Sequence, residues 1–211
     1  MSRRALEGKL AVVAGFTDPT AALEQYPTPA DVAAHVVHLA DLRGDVAGRT
    51  VLDLGTGTGM FALGAALRGA DRAVGVELDR GALSVARDNE RRVGARTAVD
   101  WIHADATRPP LCPDEPATVL MNPPFGAQSG NEHADREFLA AAADLASVSY
   151  SVHNAGSRAF VESFAADRGG VVTDAFEVTL TLDRQYDHQS RERHDLDAEA
   201  FRVEWSGSSE E

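Results

Sequence analysis

Short apolar runs alternate with amphipathic stretches along the chain from Thr50 onward. The apolar runs are rich in β-branched residues and have the length of buried strands, whereas the stretches between them carry apolar residues at three- and four-residue spacing. The predicted strands are 50–54, 73–77, 99–104, 118–121 and 148–152, and the predicted helices are 60–68, 80–93, 135–147 and 156–168. This alternation is typical of a parallel sheet with helices on both faces, so the sequence predicts an α/β fold.

The pattern changes at both ends of this central region. After Gly169 and Gly170, alternating residues predict a closing antiparallel hairpin with strands at 171–182 and 200–205, joined by a loop at 183–197. Ahead of the sheet, helices are predicted at 5–14 and 31–42, joined by a proline-rich turn. We therefore expect one domain over 1–206, with a helical cap at 1–49, the sheet region at 50–206 and a flexible tail at 207–211.

Composition limits the classes of protein that fit. The chain has 211 residues, of which 44% are hydrophobic, enough for one buried core. Cys112 is the single cysteine, which excludes an internal disulfide and a metal site built on several thiolates, and we expect no metal. No apolar run approaches the roughly 20 residues that span a bilayer, and the N-terminus lacks a signal-peptide core. These features predict a soluble, cytoplasmic protein with no membrane contact.

The formal net charge of -13 argues against a nucleic-acid partner, because an acidic surface repels phosphates. However, Lys9 is the only lysine, the other cationic residues are arginines, and the acids are spread along the whole chain. We interpret this composition as adaptation to the salty cytoplasm of a halophilic archaeon. At molar salt the Debye length is about 3 Å, so net charge no longer excludes RNA. An acidic protein that never contacts nucleic acid remains the alternative.

A glycine-rich turn follows the first predicted strand, with Gly55, Thr56, Gly57 and Gly59 ahead of a helix. Glycines allow backbone N–H groups to approach a ligand closely. Asp53, just before the first glycine, would repel a pyrophosphate but can hold a cationic methionine-derived group. The turn therefore favours S-adenosylmethionine over NAD, although a turn without a ligand remains possible.

The next two strands end in acidic residues. Glu77 lies roughly 20 residues beyond the glycine turn, where a carboxylate can accept both ribose hydroxyl groups of a nucleoside cofactor. Leu78 can pack on the adenine face, and Asp79 is expected to cap the following helix. Asp105 and Ala106 follow the third strand and lie within reach of an adenine amino group, although Asp105 is also a candidate loop cap.

The fourth predicted strand leads into Asn122-Pro123-Pro124-Phe125. Two consecutive prolines give a rigid extended turn, so the side-chain oxygen of Asn122 and the carbonyl of Pro123 can both accept hydrogens from an amine. Phe125 can stack on the ring that carries this amine. Catalysis would then depend on alignment and electrostatics rather than on a strong base. The alternative is a proline turn that simply ends a strand.

These motifs resemble those of the S-adenosylmethionine-dependent methyltransferase superfamily, whose amino-group methylators carry the Asn-Pro-Pro-Phe turn. More closely, the chain resembles the archaeal and eukaryotic small-subunit ribosomal RNA adenine-N6 methyltransferases of the methyltransferase-like-five family. The matching segments are 23–28, 53–55, 122–126, 150–153 and the hairpin that contains Tyr186 and His188. The resemblance implies a Rossmann-like sheet of seven mostly parallel strands, a C-terminal antiparallel hairpin and N6-methylation of adenine in small-subunit ribosomal RNA.

The resemblance also implies roles for residues outside the sheet edge. Gln25, Tyr26 and Thr28 are expected to cover the cofactor, with a core role as the alternative for Tyr26. The residues expected to contact RNA, besides Phe125, are His153, Arg184, Tyr186, His188, Arg191 and Arg193. The hairpin loop of the family is rich in lysine, whereas here acids dilute its charge, so a solvated hairpin tip is the alternative for this loop.

A small zinc-ribbon activator protein, pairing with the sheet, is a further implication of the resemblance. The strand at 99–104 is expected at the edge of the sheet, and Trp101 on it is either an exposed residue that requires cover or a core residue. Within enzymes, a DNA adenine or protein glutamine-amide methyltransferase is the alternative function. A non-catalytic RNA-binding module of the same fold is the alternative from another class.

Overall fold

The computed structural model describes residues 1–115, 117–125, 134–183 and 193–206. Its seven strands form one sheet in the order β3-β2-β1-β4-β5-β7-β6. Strands β1 to β5 are parallel, and β7 runs antiparallel to both of its neighbours, β5 and β6. The strands are β1 (Thr50–Leu54), β2 (Arg72–Glu77), β3 (Val99–His103), β4 (Ala117–Met121), β5 (Ala146–Asn154), β6 (Gly170–Asp183) and β7 (Arg193–Trp205). The predicted α/β fold and its closing hairpin are confirmed.

Helices cover both faces of this sheet. They are α1 (Arg3–Leu10), α2 (Ala30–Leu42), α3 (Met60–Arg68), α4 (Arg80–Val93), α5 (Ala134–Leu145) and α6 (Arg158–Asp167), with a short 3-10 turn at Ala21–Leu23. The bounds of α3 and α4 agree with the predicted ones. Asp79 caps α4, because its Oδ1 accepts a hydrogen bond from the Gly81 N–H at 2.7 Å, as predicted.

The core has two parts, one on each face of the sheet. Val51 and Leu120 point to the side covered by α1, α2, α3 and the end of α4. Their neighbours Leu52 and Val119 point to the opposite side, covered by α5 and α6. Side chains alternate across a strand, so strands with helices on both faces must be apolar at successive positions. This explains the continuous apolar runs in the sequence.

The closing hairpin is longer than predicted. The loop was expected at 183–197, but β7 begins at Arg193 and pairs with β6 from Asp183↔Arg193 to Gly170↔Trp205, with one register shift between Val172 and Asp174. Polar residues continue the strand because cross-strand hydrogen bonds use them, as where the Thr181 hydroxyl donates to Asp195 at 2.9 Å. Similarly, the helix predicted at 135–147 ends at Leu145, because Ala146 pairs with Ala117 and begins β5.

Strand β3 lies at the edge of the sheet, as predicted. The side chain of Trp101 nevertheless has cover from its own chain. Its indole Nε1 donates to Glu90 Oε2 of α4 at 2.8 Å, and its ring lies so close over Gly75 that a Cβ there would be 2.6 Å from it. Of the two roles considered for Trp101, the structure supports that of a core residue. Its ring is covered by its own chain and is not evidence for a partner protein.

A buried ionic cluster ties the segment after α2 to the sheet. Arg202 of β7 donates from Nε to Asp45 Oδ2 at 2.9 Å, and the hydroxyl of Tyr150 donates to the same oxygen at 2.6 Å. The Thr118 hydroxyl donates to the Asp45 carbonyl at 2.6 Å. The cluster joins β4, β5 and β7 to the N-terminal region, and this region continues into the site described next.

Candidate active site

A cavity of about 540 Å³ opens at the carboxyl ends of the parallel strands, which is the usual ligand position in this class of sheet. The turns after β1, β2, β3 and β4 line it from below, and the segment ahead of α2 covers it. Most of the residues predicted to bind the cofactor line this cavity. They are Gln25, Tyr26, Thr28, Asp53, Gly55, Thr56, Gly57, Glu77, Leu78, Asp105, Ala106 and Asn122.

The glycine turn has a left-handed backbone at all three of its glycines, Gly55, Gly57 and Gly59. Gly57 has φ of 55°, and a Cβ there would lie 2.9 Å from Cζ of Phe16, whose ring packs on the turn. Gly59 has φ of 97° and precedes α3, where its close neighbour is the Trp101 ring. Gly59 was predicted to bind the cofactor, but it is absent from the lining of the cavity, and its described contacts are to packing residues.

Asp53 forms the base of the glycine turn. Its Oδ2 accepts hydrogen bonds from the Thr56 hydroxyl at 2.6 Å and from the Ala62 N–H at 2.8 Å, which join the turn to the first residues of α3. The side chain is fully buried, and this burial raises its pKa to about 7, with a smaller contribution from the charge of Glu77. Asp53 thus lies at the cavity wall as a carboxyl group that titrates near neutral pH.

Glu77 is held by backbone groups. Its Oε2 accepts from the Gly57 N–H at 2.8 Å, and its Oε1 accepts from the N–H groups of Leu78 and Asp79, both at 2.9 Å. Burial is the main cause that raises the pKa of Glu77. Oε1 already accepts two hydrogen bonds, whereas Oε2 accepts one and keeps a further lone pair, so Glu77 can accept from a ribose hydroxyl while the backbone holds it. Leu78 beside it is 52% exposed and offers an apolar face to a flat ring.

Asp105 follows β3, the strand next to β2 in the sheet. Its Oδ1 accepts from both the N–H and the hydroxyl of Thr107, at 2.9 and 2.7 Å, so it caps its own loop. It also lines the cavity, so both of the roles considered from the sequence have a structural basis.

Gln25 connects the covering segment to this side of the cavity. Its Nε2 donates to Asp79 Oδ2 at 2.8 Å, and its Oε1 accepts from the Thr20 N–H at 2.7 Å. The segment ahead of α2 is thus joined to the residue that follows Glu77 and Leu78.

Asn122 follows β4 and lines the same cavity as Glu77. Its Nδ2 donates to the hydroxyl oxygen of Thr28 at 3.1 Å. Its Oδ1 is buried and has no hydrogen-bond partner among the described residues. An unpaired buried acceptor costs about 1–3 kcal/mol, so an oxygen left in this state at a cavity marks a position for a ligand donor.

The proline turn separates the main cavity from a smaller cleft. Asn122 and Pro124 line the main cavity, whereas Pro123, Pro124 and Phe125 line a cleft of about 20 Å³ on the other side. Phe125 was predicted to stack on the target ring, and the structure places it at this second cleft rather than in the cofactor cavity. A ring that reaches Asn122 past Phe125 would therefore enter from the side opposite to the cofactor.

His153 lines the same cleft but is only 3% exposed. Its Nε2 shares a hydrogen bond with the Ser151 hydroxyl at 2.8 Å, and burial lowers the pKa of its imidazole to about 4. His153 was predicted to contact RNA. In the structure its imidazole is neutral at pH 7 and forms part of the wall of the cleft. Arg184, Tyr186, His188 and Arg191 lie outside the described residues, and Arg193 begins β7 without a described side chain.

Several residues that line the cavity were not predicted from the sequence, among them Phe16 and Arg136. Phe16 lines the cavity and packs on Gly57, and Arg136 of α5 also lines it. The guanidinium of Arg136 lies over the ring of Phe160 in α6, with its carbon 5.1 Å from the ring centre. The sequence around Arg136 did not indicate that it belongs to the site, because its position depends on a contact with a residue of another helix.

Among residues 1–115, 117–125, 134–183 and 193–206, no group of three or more histidine, cysteine or acidic side chains is arranged to hold a metal ion. Within the same residues, no helix is both long and apolar enough to cross a bilayer.

Comparisons with known proteins agree with this geometry. A family model described as the methyltransferase small domain matches residues 30–148. The rRNA N(6)-adenosine-methyltransferase Mettl5 of Drosophila melanogaster is 35% identical over 95% of this chain and 95% of its own length. The corresponding METTL5 of Danio rerio is 30% identical over 96% of this chain and 98% of its own length. A crystal structure from Pyrococcus horikoshii, described as a candidate RNA methyltransferase, has a TM-score of 0.87 at 32% identity, covering 97% of this chain and 98% of that one.

Proposed function

This chain belongs to the methyltransferase family that includes the rRNA N(6)-adenosine-methyltransferases Mettl5, and from that premise we propose that it methylates N6 of an adenine in small-subunit ribosomal RNA. The methyl donor is S-adenosylmethionine. The observation that carries the proposal is the unpartnered Oδ1 of Asn122 at the wall of a nucleoside-sized cavity. This oxygen is an acceptor with no partner among the described residues, and an exocyclic amine is a donor of the matching kind.

The residues of the cavity fit S-adenosylmethionine. Glu77 presents a backbone-held carboxylate to a ribose, and the exposed Leu78 can pack on an adenine. Asp53 provides a carboxyl group near the glycine turn, which suits the cationic methionine end of the ligand. A cavity of about 540 Å³ is of the size that holds a ligand of this class.

The chain's own residues act on the acceptor amine. S-Adenosylmethionine, when bound, supplies an electrophilic methyl group with a good leaving group. Asn122 Oδ1 accepts one N6–H, which orients the nitrogen lone pair and favours the charge that develops on nitrogen. Pro123 and Pro124 keep the turn rigid, so the amine is aligned rather than deprotonated. The proton leaves to solvent after transfer, and no strong base is required.

RNA is supported as the substrate by the surroundings of the smaller cleft. Phe125 offers a ring to a base beside the cleft, and Arg136 is exposed and lines the main cavity. Arginine binds phosphates and stacks on bases. The proposed setting is a salty cytoplasm, where screening over about 3 Å weakens the repulsion between RNA and a chain of net charge -13.

The proposal includes a small zinc-ribbon partner that adds a strand to the sheet. It is supported by the position of β3 as the end strand of the described sheet, since an end strand presents backbone groups for pairing. Co-expression with such a protein from the same genome is expected to increase yield and activity. An isolated chain that is fully soluble and fully active would contradict this part.

The test is methylation of ribosomal RNA by the purified protein. RNA from cells that lack the gene is incubated with S-adenosylmethionine, and N6-methyladenosine is mapped by mass spectrometry of nuclease fragments. We expect methylation of one adenine in the small-subunit RNA. For Asn122→Ala, the rate should fall by at least about 100-fold, while calorimetry shows cofactor affinity within about threefold of the unaltered protein. Methylation of DNA or of a glutamine-containing protein, with none of rRNA, would overturn the substrate assignment.

A further inference from the structure

Thr28 lies beside the proposed acceptor of the substrate amine, although it is 94 residues from Asn122 in the chain. Its Oγ1 accepts a hydrogen bond from Nδ2 of Asn122 at 3.1 Å. The predicted role of Thr28 was to cover the cofactor, and it does line the cavity. Its contact with the proposed catalytic amide is a separate observation.

A carboxamide has two orientations that differ by exchange of its oxygen and its NH₂ group. Only one of them presents an acceptor, Oδ1, to the N–H groups of the substrate amine. In the other orientation the NH₂ group of the side chain would face the substrate amine, and two groups of hydrogen-bond donors would meet. In the structure, Nδ2 is used by Thr28 and Oδ1 is buried without a partner among the described residues. The bond to Thr28 therefore belongs to the orientation that catalysis requires.

Thr28 is well placed to hold this orientation because its own backbone is restrained. It lies between Pro27 and Pro29, and a residue before proline is confined to extended conformations. Pro29 leads directly into α2, since the Ala33 N–H donates to its carbonyl at 2.9 Å. The hydroxyl is thus presented from a fixed point rather than from a loose loop.

The segment that carries Thr28 also contacts the cofactor half of the cavity. Gln25 donates to Asp79 at 2.8 Å, and Phe16 packs on Gly57. Farther back, the Ala14 N–H donates to Asn89 Oδ1 of α4 at 2.9 Å. The segment thus contacts both the residues proposed to bind the methyl donor and the residue proposed to bind the methyl acceptor. Thr28 makes the contact with the latter residue, Asn122.

We propose that Thr28 is a positioning residue, which holds the Asn122 carboxamide with Oδ1 directed at the amine that is methylated. The inference rests on the proposed function, because it assigns the oxygen to an amine acceptor role. It predicts that loss of the hydroxyl slows the chemical step even when the cofactor is saturating.

Thr28→Val and Thr28→Ser form the matched pair for the test. Valine keeps the shape of threonine but lacks the hydroxyl, whereas serine keeps the hydroxyl. At saturating S-adenosylmethionine and rRNA, we expect Thr28→Val to lower the single-turnover rate by about 10- to 100-fold, as misplacement of a reacting group does. Thr28→Ser should stay within about threefold of the unaltered protein. A Thr28→Val variant with an unchanged rate, or one whose rate recovers fully at high cofactor concentration, would overturn the inference.

A second readout is independent of the substrate. The side-chain NH₂ signals of Asn122, assigned by their loss in Asn122→Ala, are followed by NMR in the protein without RNA. Slow hydrogen exchange is expected in the unaltered protein and in Thr28→Ser, and at least about tenfold faster exchange in Thr28→Val. Equal exchange in all three would contradict the positioning role. If the unaltered protein methylates no adenine, the proposed function fails, and this NMR comparison still decides whether Thr28 holds Asn122.

Discussion

At the scale of single residues, the site combines buried carboxyl groups with an unpaired amide oxygen. Asp53 and Glu77 are both buried at the cofactor cavity, and burial raises the pKa of each, that of Asp53 to about 7. Asn122 Oδ1 lacks a partner among the described residues. Groups that are unfavourable for the folded chain by itself are thus concentrated where ligands bind, which is typical of functional sites.

Cofactor binding is expected to depend on pH through Asp53. A cationic ligand favours the ionised carboxylate, so binding should release a proton while Asp53 is protonated, below its pKa of about 7. Affinity for S-adenosylmethionine should then rise between about pH 5 and pH 7. Calorimetry in two buffers of different ionisation enthalpy measures the proton release. In Asp53→Asn the release should be reduced, while Asp71→Asn, which changes an exposed carboxylate, should behave as the unaltered protein. Equal proton release in all three would refute the role of Asp53.

The same carboxyl group affects the stability of the protein without ligand. The folded-state pKa of Asp53 lies above the unfolded value, so its contribution is most favourable below about pH 4 and is lost as pH rises through about 7. We expect the free energy of unfolding of Asp53→Asn to vary less between these limits than that of the unaltered protein. Urea titrations at pH 5 and pH 7.5 give the comparison, and parallel pH dependence of the two proteins would contradict it.

Arg136, which is exposed and lines the cavity, is expected to contact RNA. Loss of one phosphate contact reduces the slope of log affinity against log salt by about one. Arg136→Gln should show this change in a salt series of rRNA binding, with weaker binding to every sequence. Arg72→Gln is the matched control, because Arg72 is exposed at the opposite end of the sheet and pairs with Asp100. An identical salt dependence of both variants would show that Arg136 does not contact RNA phosphates.

At the scale of elements, the turn after β1 and the segment ahead of α2 form one unit. The turn is narrow because Phe16 lies against Gly57, and the segment is held by Asn89 of α4, which also donates to the Thr58 carbonyl at 3.0 Å. The cavity is therefore shaped by contacts between distant elements as well as by the glycine-rich sequence. A change at this contact should alter cofactor binding more than it alters the sheet.

Two glycines with similar backbone conformation separate these effects. Gly57 and Gly69 both have positive φ, so alanine at either should cost about 1–2 kcal/mol through the backbone. Only at Gly57 would the new Cβ collide with a neighbour, the Phe16 ring, whereas it meets nothing within 4 Å at Gly69. We expect Gly57→Ala to weaken S-adenosylmethionine binding by at least about tenfold in calorimetry, and Gly69→Ala to leave it unchanged. Equal affinities of the two variants would show that Phe16 does not shape the site.

At the scale of the whole molecule, ionic contacts of two kinds hold an acidic chain together. The buried cluster of Asp45, Tyr150 and Arg202 joins the N-terminal region to the sheet, whereas pairs such as Arg72 with Asp100 lie on the surface. High salt screens exposed pairs far more than buried ones. The buried cluster should therefore keep its contribution at the salt concentrations that the composition suggests.

Asp45→Asn should be strongly destabilising because it removes the buried counter-charge of the Arg202 guanidinium, whose side chain is 8% exposed, and leaves only the exposed carboxylate of Glu204 to pair with it. Breaking a buried pair costs about 3–5 kcal/mol, whereas an exposed pair contributes about 0–1 kcal/mol. Asp100→Asn serves as the matched control. Urea denaturation at low and molar salt measures both variants. A loss at Asp45 no larger than the loss at Asp100 would mean that the cluster does not hold the two regions together.

The sequence by itself determined the elements and the turn chemistry of this protein. Strands buried on both faces must be apolar throughout, and left-handed turns require glycine, so β1, α3, α4 and the turn at Gly57 could be located locally. The Asn122 turn could be located because consecutive prolines restrict the backbone whatever surrounds them. These predictions succeed because their causes act within a few residues.

The tertiary structure alone decided which side chains meet. Thr28 contacts Asn122, Phe16 lies on Gly57, and Arg136 lies over Phe160, although each pair is far apart in the chain. It also placed Phe125 beside a separate cleft, covered Trp101 and extended the hairpin into residues that read as a loop. Such contacts arise because parallel strands bring their carboxyl ends to one edge of the sheet, where helix packing and strand pairing select the neighbours. No periodicity along the chain encodes that choice.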